Sequence, residues 1–223
     1  MIELIHNDCM IDMSERKSKS VYMTFTDIPY DIPQKRDDGL RLMNKGECNT
    51  IDFNLIEFLN EVYRITSNFI IIFCGREQFS TIYSFFTNKK GSTRPLIWQK
   101  SNPSPVNGQH CYLNGIEMAV WFKKPSAKGF NAFCKNVVFK HPNGSSKLVK
   151  TEKNHKLLKE LVLDNSNEGD LIYDPCAGSY SLGLVCEETG RNFIGVEKLK
   201  EHFEIGCNRF KKENIKITIP NKE

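Results

Sequence analysis

The stretch DLIYDPCAGSYSLGLVCEETGRNFIGVE, residues 170–197, decides the fold class of this chain. It predicts a strand at 170–173, a tight turn at 175–179, a helix at 181–189 and a strand at 192–196. Small residues in a strand-to-helix turn let a ligand approach the backbone N–H groups of the helix N-terminus. Glu197 ends the second strand, 19 residues after Gly178, where a carboxylate can bind both hydroxyls of a ribose. The pattern predicts half of a mononucleotide-binding sheet.

The composition of the turn at 175–179 limits the class of ligand that can bind there. It contains no GxxxxGK[ST] pattern, which makes a triphosphate a poor candidate, and it has no basic residue to pair with a pyrophosphate. A nucleoside with a cationic or zwitterionic tail fits this turn better.

A second stretch, MTFTDIPY at residues 23–30, ends an apolar run in a carboxylate, a proline and an aromatic ring. A strand over residues 20–26 would deliver Asp27 and Tyr30 to the edge of an open α/β sheet where ligands bind. A carboxylate beside a flat ring suits a planar substrate that offers an N–H group. The exocyclic amino groups of nucleobases meet that description.

The rest of the chain completes an α/β pattern. We predict strands at 1–5, 69–74, 95–99, 116–122 and 136–140, helices at 52–65 (capped by Asp52), 77–86, 153–163 and 201–212, and a long loop at 31–50. The continuous apolar run at 69–74 is typical of a strand buried on both faces. These elements predict one domain over residues 1–223, with a mostly parallel, doubly wound sheet and one small basic insertion.

Charge is distributed unevenly along the chain. Between Phe86 and Glu160, 13 Lys and one Arg stand against three Glu, a net charge of +11, whereas the rest of the chain carries −7. Aromatic residues are interleaved with the lysines, which favours a surface that faces nucleic acid over an ordinary solvated loop region. The candidate nucleic-acid contacts in this region are Arg94, Lys100, Lys123, Lys124, Lys128, Lys135 and Lys140, and Arg36 in the loop after the MTFTDIPY stretch is a further candidate.

Composition argues against other classes of protein. The longest apolar run is far too short to cross a bilayer, and the N-terminus lacks the features of a secretion signal, so we expect a cytoplasmic protein without a membrane partner. The eight cysteines are scattered without any CxxC spacing, which predicts neither a zinc site nor a disulfide framework.

The order of these segments resembles that of amino-methylating DNA methyltransferases of the permuted (β-type) order, which use S-adenosylmethionine. The family's [DNS]PP[YFW] segment matches DIPY at 27–30, and its DPF-x-G-S-G loop matches DPCAGSY at 174–180. GRNFIGVE at 190–197 resembles the segment that ends in the ribose-binding acid, and TEKN at 151–154 resembles the family's PT-x-K-P stretch. The resemblance extends from Ile5 to Phe210.

The resemblance implies a Rossmann-like methyltransferase fold with S-adenosylmethionine as cofactor and double-stranded DNA as partner. It divides the chain into a catalytic half (1–86), a basic target-recognition region (about 87–150) and a cofactor half (151–223). The implied catalytic residues are Asp27, Ile28, Pro29 and Tyr30. The implied cofactor-binding residues are Asp8, Thr151, Lys153, Asp174, Pro175, Cys176, Ala177, Gly178, Ser179, Tyr180 and Glu197.

The implied reaction is transfer of a methyl group to the exocyclic amino group of a flipped base. Aspartate at position 27 favours adenine N6 over cytosine N4, because the family's cytosine enzymes more often carry serine there. A relative that binds DNA without methylating it, and an enzyme that methylates RNA, are alternatives. The sequence leaves open the recognition sequence, a homodimer and a cognate restriction nuclease.

Two residues depart from the family pattern. Ile28 stands at a usual proline, where the backbone carbonyl that the mechanism uses is retained. Tyr180 stands at a usual glycine, where a left-handed backbone would cost about 1–2 kcal/mol in a non-glycine residue. Its ring either obstructs the cofactor or covers it, and the sequence does not decide between the two.

Overall fold

The computed structural model describes residues 1–30, 51–144 and 152–220. The strands in these ranges are β1 (Ile2–His6), β2 (Val21–Asp27), β3 (Thr66–Cys74), β4 (Ser92–Lys100), β5 (Ile116–Lys123), β6 (Val138–His141), β7 (Leu171–Asp174) and β8 (Asn192–Glu197). The helices are α1 (Cys9–Glu15), α2 (Leu55–Ile65), α3 (Arg76–Thr87), α4 (His155–Asn165), α5 (Ser181–Glu188) and α6 (Lys200–Lys212).

The strands form one sheet in the order β1-β8-β7-β2-β3-β5-β4-β6. Every neighbouring pair is parallel except those made by β5, which runs antiparallel to β3 and β4. The predicted α/β fold with a mostly parallel sheet is confirmed. All strands other than β5 therefore end at the same side of the sheet, which we call the carboxyl edge, and the opposite side is the amino edge.

Strand β3 shows why the sheet is doubly wound. Phe69, Ile71 and Phe73 pack in one hydrophobic core with residues of α4, α5 and α6. Ile70, Ile72 and Cys74 alternate with them and pack in a second core with residues of α1, α2 and α3. Because successive side chains of a strand point to opposite faces, an unbroken apolar run supplies both cores.

The strand order also places a crevice. Strands β2 and β7 are neighbours, yet β2 is followed in the chain by β3 on one side and β7 by β8 on the other. At such a point the connections leave in opposite directions, and ligands bind at the carboxyl ends of the two strands. Those ends carry Asp27 and Asp174.

Two predicted helix starts are wrong. The cap of α2 is Asn54, whose side chain accepts hydrogen bonds from the backbone of Ile56 and Glu57, whereas Asp52 pairs with Lys198. Helix α4 begins after its cap Asn154, so that Lys153 precedes the helix. No helix within the described ranges is long and apolar enough to cross a membrane.

Candidate active site

The carboxylate of Asp27 lies in a cluster of charged and aromatic side chains at the carboxyl edge. Lys153 Nζ is 2.5 Å from Asp27 Oδ2, 2.9 Å from Glu117 Oε2 and 2.8 Å from the Tyr30 hydroxyl oxygen. The Tyr30 hydroxyl donates to Glu117 Oε2 at 2.8 Å, and Lys100 Nζ lies 2.7 Å from Glu117 Oε1. The side chains of Asp27 and Tyr30 are thus held in place by hydrogen bonds and ion pairs with residues of other elements.

Burial sets the electrostatics of this cluster. It raises the pKa of Asp27, and the charge of Lys153 offsets only part of that rise. Burial also acts to raise the pKa of Glu117, but the positive charges of Lys153 and Lys100 outweigh it and hold that pKa well below its usual range. The pKa of Lys153 is raised, since Asp27 and Glu117 together outweigh its desolvation. Glu117 and Lys153 therefore both carry charge at neutral pH.

The backbone of the DIPY segment is fixed by α3 and β3. Gln78 Nε2 donates to the Pro29 carbonyl at 2.8 Å, and Gln78 Oε1 accepts from the Gly75 N–H at the same distance. Ile28 is buried, and its N–H donates to the Phe73 carbonyl at 3.2 Å. A proline at position 28 has no N–H, so isoleucine adds one hydrogen bond to the β2–β3 pairing.

The predicted cofactor loop follows β7 at the same edge. Gly178 has φ +52°, and the position of a Cβ added there would meet nothing within 4 Å, so the chain is open on that side. Its N–H donates to Glu197 Oε2 at 2.8 Å, and the N–H of Leu199 donates to Glu197 Oε1 at 2.8 Å. The ribose-binding candidate is therefore held in place at the end of β8, next to the glycine turn.

Two further carboxylates border this loop. Asp8 caps α1 by accepting from the Met10 N–H at 2.8 Å, and it pairs with Lys198 at 2.9 Å. Asp174 is buried, and desolvation raises its pKa to about 7, although its Oδ1 accepts from the Cys176 N–H. With Glu197 they form an acidic surround to an open glycine turn, which fits a nucleoside cofactor with a cationic tail such as S-adenosylmethionine.

Tyr180 neither obstructs this loop nor covers it. Its backbone is left-handed, with φ 56° and ψ 28°, as the usual glycine would be. Its ring is fully buried, its hydroxyl donates to the Ile5 carbonyl at 3.3 Å, and Phe203 packs edge-on against it. Gly195 and Gly206 leave the space that the ring occupies. Both interpretations offered from the sequence are wrong, because the side chain lies in the hydrophobic core.

The basic candidates divide between the two edges of the sheet. Arg94 is the third residue of β4, and Lys123, the last residue of β5, pairs with Ser92 at the start of β4. The backbone of Lys128 bonds with the side chains of Tyr22 and Asn68, near the start of β2 and β3. These three therefore lie toward the amino edge, away from Asp27. Among the predicted contacts that the structure describes, only Lys140 is both exposed and close to the carboxyl edge.

Three lysines in the predicted nucleic-acid set have other partners, which revises the prediction for them. Lys124 is buried, with Nζ donating to the carbonyls of Tyr63 and Thr66, and burial lowers its pKa to about 8. Lys100 belongs to the cluster around Asp27. Lys135 pairs with Glu160 and Asp164. Arg36 and Thr151 lie outside the described residues.

Sequence reasoning missed two acids at this edge. Glu117, the second residue of β5, pairs with Lys100 and Lys153 and accepts a hydrogen bond from the Tyr30 hydroxyl. The one feature of the sequence that could have indicated it is that a single carboxylate interrupts an apolar strand. Glu152 pairs with Arg209 at 2.5 Å, and Arg209 also donates to the Ser179 carbonyl at 3.4 Å. Lys153, which the resemblance assigns to the cofactor, contacts Asp27.

A doubly wound sheet that places an acidic, glycine-containing loop and an acid–aromatic cluster side by side at its crevice defines the class of S-adenosylmethionine-dependent methyltransferases. The model of the N6/N4 DNA methylase family matches residues 21–208, and the chain belongs to that family. The predicted activity, S-adenosylmethionine-dependent methylation of adenine N6 or cytosine N4 in DNA, is confirmed at this level.

Individual relatives cover nearly the whole chain. Type II methyltransferase M2.DpnII of Streptococcus pneumoniae is 25% identical over 241 residues, covering 95% of this chain and 90% of that protein. DNA adenine methyltransferase YhdJ of Escherichia coli (strain K12) is 27% identical over 260 residues, covering 92% and 81%.

Solved structures show the same fold. The M1.HpyAVI–SAM complex superposes with a TM-score of 0.73 at 25% identity, over 94% of this chain and all of that chain. The cytosine-N4-specific PvuII DNA methyltransferase gives a TM-score of 0.76 over 96% of this chain and 88% of that chain. Its identity to this chain is only 17%, so it bears on the fold alone.

Proposed function

We propose that the chain methylates the exocyclic amino group of a base flipped out of double-stranded DNA at a specific site, with adenine N6 favoured over cytosine N4. The observation that carries this proposal is the position of Asp27 and Tyr30. They lie at the carboxyl end of β2, beside the end of β7 from which the Gly178 loop begins. An extruded base and a nucleoside cofactor would meet in one crevice there.

The amino nitrogen of a nucleobase is a poor nucleophile because its lone pair is delocalised into the ring. The Asp27 carboxylate and the Ile28 carbonyl would each accept a hydrogen bond from one N–H of the amino group. These two hydrogen bonds favour a pyramidal nitrogen with an available lone pair. Bound S-adenosylmethionine supplies an electrophilic methyl group. The nitrogen becomes cationic as it is alkylated, so the Asp27 carboxylate stabilises the developing charge and then receives the proton that leaves the nitrogen.

Tyr30 would receive the face of the flipped base. Extruding a base costs about a few kcal/mol, and stacking on an aromatic ring offsets part of that cost. The Tyr30 hydroxyl is fixed by Glu117 and Lys153, so its ring is pre-oriented before a base arrives. A fixed ring loses little conformational entropy when it binds.

Two considerations support adenine over cytosine. Aspartate at position 27 is the choice that the family resemblance associates with adenine. The chain also matches, over 92% of its length, a relative that is named a DNA adenine methyltransferase.

We propose that DNA approaches the carboxyl edge. The β4–β5 connection lies there, and it carries exposed Gln109 and exposed Asn102, whose Oδ1 accepts from the Asn143 N–H. It also carries Tyr112, which is fully exposed. Amide groups bind base edges, and an aromatic side chain can stack on a base. With exposed Lys140 at the neighbouring strand end, this loop would be the part of the basic region that reads the target.

The test is incubation with labelled S-adenosylmethionine and mixed-sequence duplex DNA, followed by nucleoside analysis by mass spectrometry. N6-methyladenine is the expected product. N4-methylcytosine would overturn the preference for adenine, and methylation of structured RNA in preference to duplex DNA would overturn the choice of substrate. A homodimer, a cognate restriction nuclease and a cytoplasmic location stay predictions.

Asp27→Ala tests the mechanism, with Asp164→Ala as a matched control at the far end of α4. Asp27→Ala should lose methylation by more than a hundredfold while its affinity for S-adenosylmethionine, measured by titration calorimetry, is unchanged. Full activity in Asp27→Ala would refute the catalytic role. The sequence-based alternative of a relative that does not methylate depended on Tyr180, and the buried ring no longer favours it.

A further inference from the structure

A buried chain of alternating charges stands behind the catalytic candidate. Asp27, Lys153, Glu117 and Lys100 follow one another with contacts of 2.5, 2.9 and 2.7 Å. The three members behind Asp27 have side chains only 7%, 15% and 14% exposed, in that order. They come from three separate parts of the fold: the segment before α4, strand β5 and strand β4. We call this group the four-charge chain.

The two oxygens of Asp27 have different surroundings. Oδ1 is enclosed and has no hydrogen-bond partner among the described residues. The side chain as a whole is 31% exposed, so Oδ2 is the carboxylate oxygen that can meet the crevice. Oδ2 is also the atom that Lys153 contacts. The lysine therefore fixes the one oxygen through which Asp27 can reach a substrate.

We propose that Lys153, held by Glu117, is the positioning residue for Asp27: it keeps Oδ2 turned toward the crevice and balances the charge of the carboxylate. This inference rests on the proposed role of Asp27. It differs from the contact with the cofactor that the sequence implied for Lys153. Glu117 has a part of its own, since it lies between the two lysines and, together with Asp27, balances their charges.

The charge balance has a chemical purpose. A carboxylate accepts hydrogen bonds, whereas a protonated carboxyl presents a donor and cannot take up the proton released by the amine. Burial raises the pKa of Asp27, and Lys153 is the cation that opposes this rise. The other groups that face the pair are the Tyr30 hydroxyl, Glu117, the Cys74 thiol from β3 and Asp174 from β7, none of which supplies positive charge.

The direct test measures the ionisation of Asp27 without DNA or cofactor. Aspartate labelled with ¹³C at the side-chain carboxyl is followed by NMR over pH, and the Asp27 signal is assigned by its loss in Asp27→Asn. In Lys153→Met the midpoint of Asp27 should rise by at least about one unit, a tenfold change in the acid dissociation constant. Lys153→Arg keeps the charge and should stay closer to the wild type. Lys156→Met, an exposed position one turn along, is the matched control.

Kinetics give the second readout. In Lys153→Met the acidic limb of the pH–kcat profile should move up with the NMR midpoint, while the Kd for S-adenosylmethionine stays within twofold of the wild type. A merely structural role would lower kcat equally at all pH values. An unchanged Asp27 midpoint, or a large loss of cofactor affinity with no shift of the limb, would overturn the proposal.

The two proposals can fail separately. If wild-type protein methylates no nucleic acid but the NMR midpoint moves as expected, the proposed reaction fails and the positioning role stands. If Lys153→Met does not fold, Lys153→Gln replaces it. Glutamine keeps a hydrogen-bond donor for Asp27 and removes the charge, so the same rise of the midpoint is expected.

Discussion

Replacing Tyr180 by glycine separates the cost of its backbone from the value of its ring. The family usually places glycine here, so a comparison of sequences alone would call Tyr180→Gly harmless or beneficial. The structure predicts the opposite. Removing a fully buried aromatic ring costs about 3–5 kcal/mol, and relieving the left-handed backbone returns about 1–2 kcal/mol, which leaves a net loss of about 1–4 kcal/mol.

A second substitution, at Gly206, tests whether the Tyr180 ring packs as the structure shows. A Cβ at Gly206 would overlap the Tyr180 ring, so Gly206→Ala should cost about 1–3 kcal/mol in the wild type. In the Tyr180→Gly background the overlap is gone, and alanine is favoured over glycine inside α6 by about 1 kcal/mol. The effect of Gly206→Ala should therefore change sign, with a coupling of about 2–4 kcal/mol between the two positions.

Urea unfolding of the four proteins in this cycle, followed by the fluorescence of Trp98 and Trp121, measures the coupling. The melting temperature of Tyr180→Gly should fall by about 2–16 °C, since about 1 kcal/mol shifts it by about 2–4 °C in a chain of this size. Effects that add within about 0.5 kcal/mol would refute the packing of the ring against Gly206. Tyr180→Phe is the matched control, since it keeps the ring and loses only a long hydrogen bond.

Two further predictions concern pH and DNA. Burial raises the pKa of Asp174 from 3.8 to about 7 in the folded protein, so between these pH values the folded state holds a proton that the unfolded chain releases. The free energy of unfolding should therefore fall as pH rises from about 4 to about 7. Asp174→Asn should remove that slope in urea titrations. Lys140→Ala should weaken DNA binding and lower the salt dependence of the binding constant by about one counterion, both measured by fluorescence anisotropy. Arg94→Ala, toward the amino edge, should change neither quantity. The reverse pattern would place the DNA on the amino edge.

The strands and the two motif segments could be predicted because their signals are local. The apolar run at 69–74, the carboxylate after the apolar stretch at 21–26 and the turn at 175–179 each depend on a few neighbouring residues. Helix starts were less secure. At α2, aspartate and asparagine two positions apart are both good caps, and only the observed geometry selects Asn54.

The surroundings of Asp27 could not be predicted from the sequence. Its contact with Lys153 joins residues 126 positions apart, and Tyr30 and Glu117 are 87 positions apart. The contacts of Glu117 exist because β5 runs antiparallel to its neighbours, which brings the first residues of β5 to the edge where the other strands end. A glutamate near a strand start has no local signal that it will meet the proposed catalytic carboxylate.

The antiparallel β5 also explains why charge along the sequence overstates the basic surface near Asp27. A run of lysines is continuous in the chain, but β4 and β5 carry its members alternately toward one edge and the other. Lys123 and Lys128 therefore lie far from Asp27, and Lys100 turns inward to Glu117. On the proposed approach, DNA would meet chiefly the β4–β5 loop, which contains no Lys, Arg, Asp or Glu and exposes Tyr112. Sequence discrimination by this enzyme should accordingly depend on amide and aromatic contacts in that loop, and net charge should set only the strength of non-specific binding.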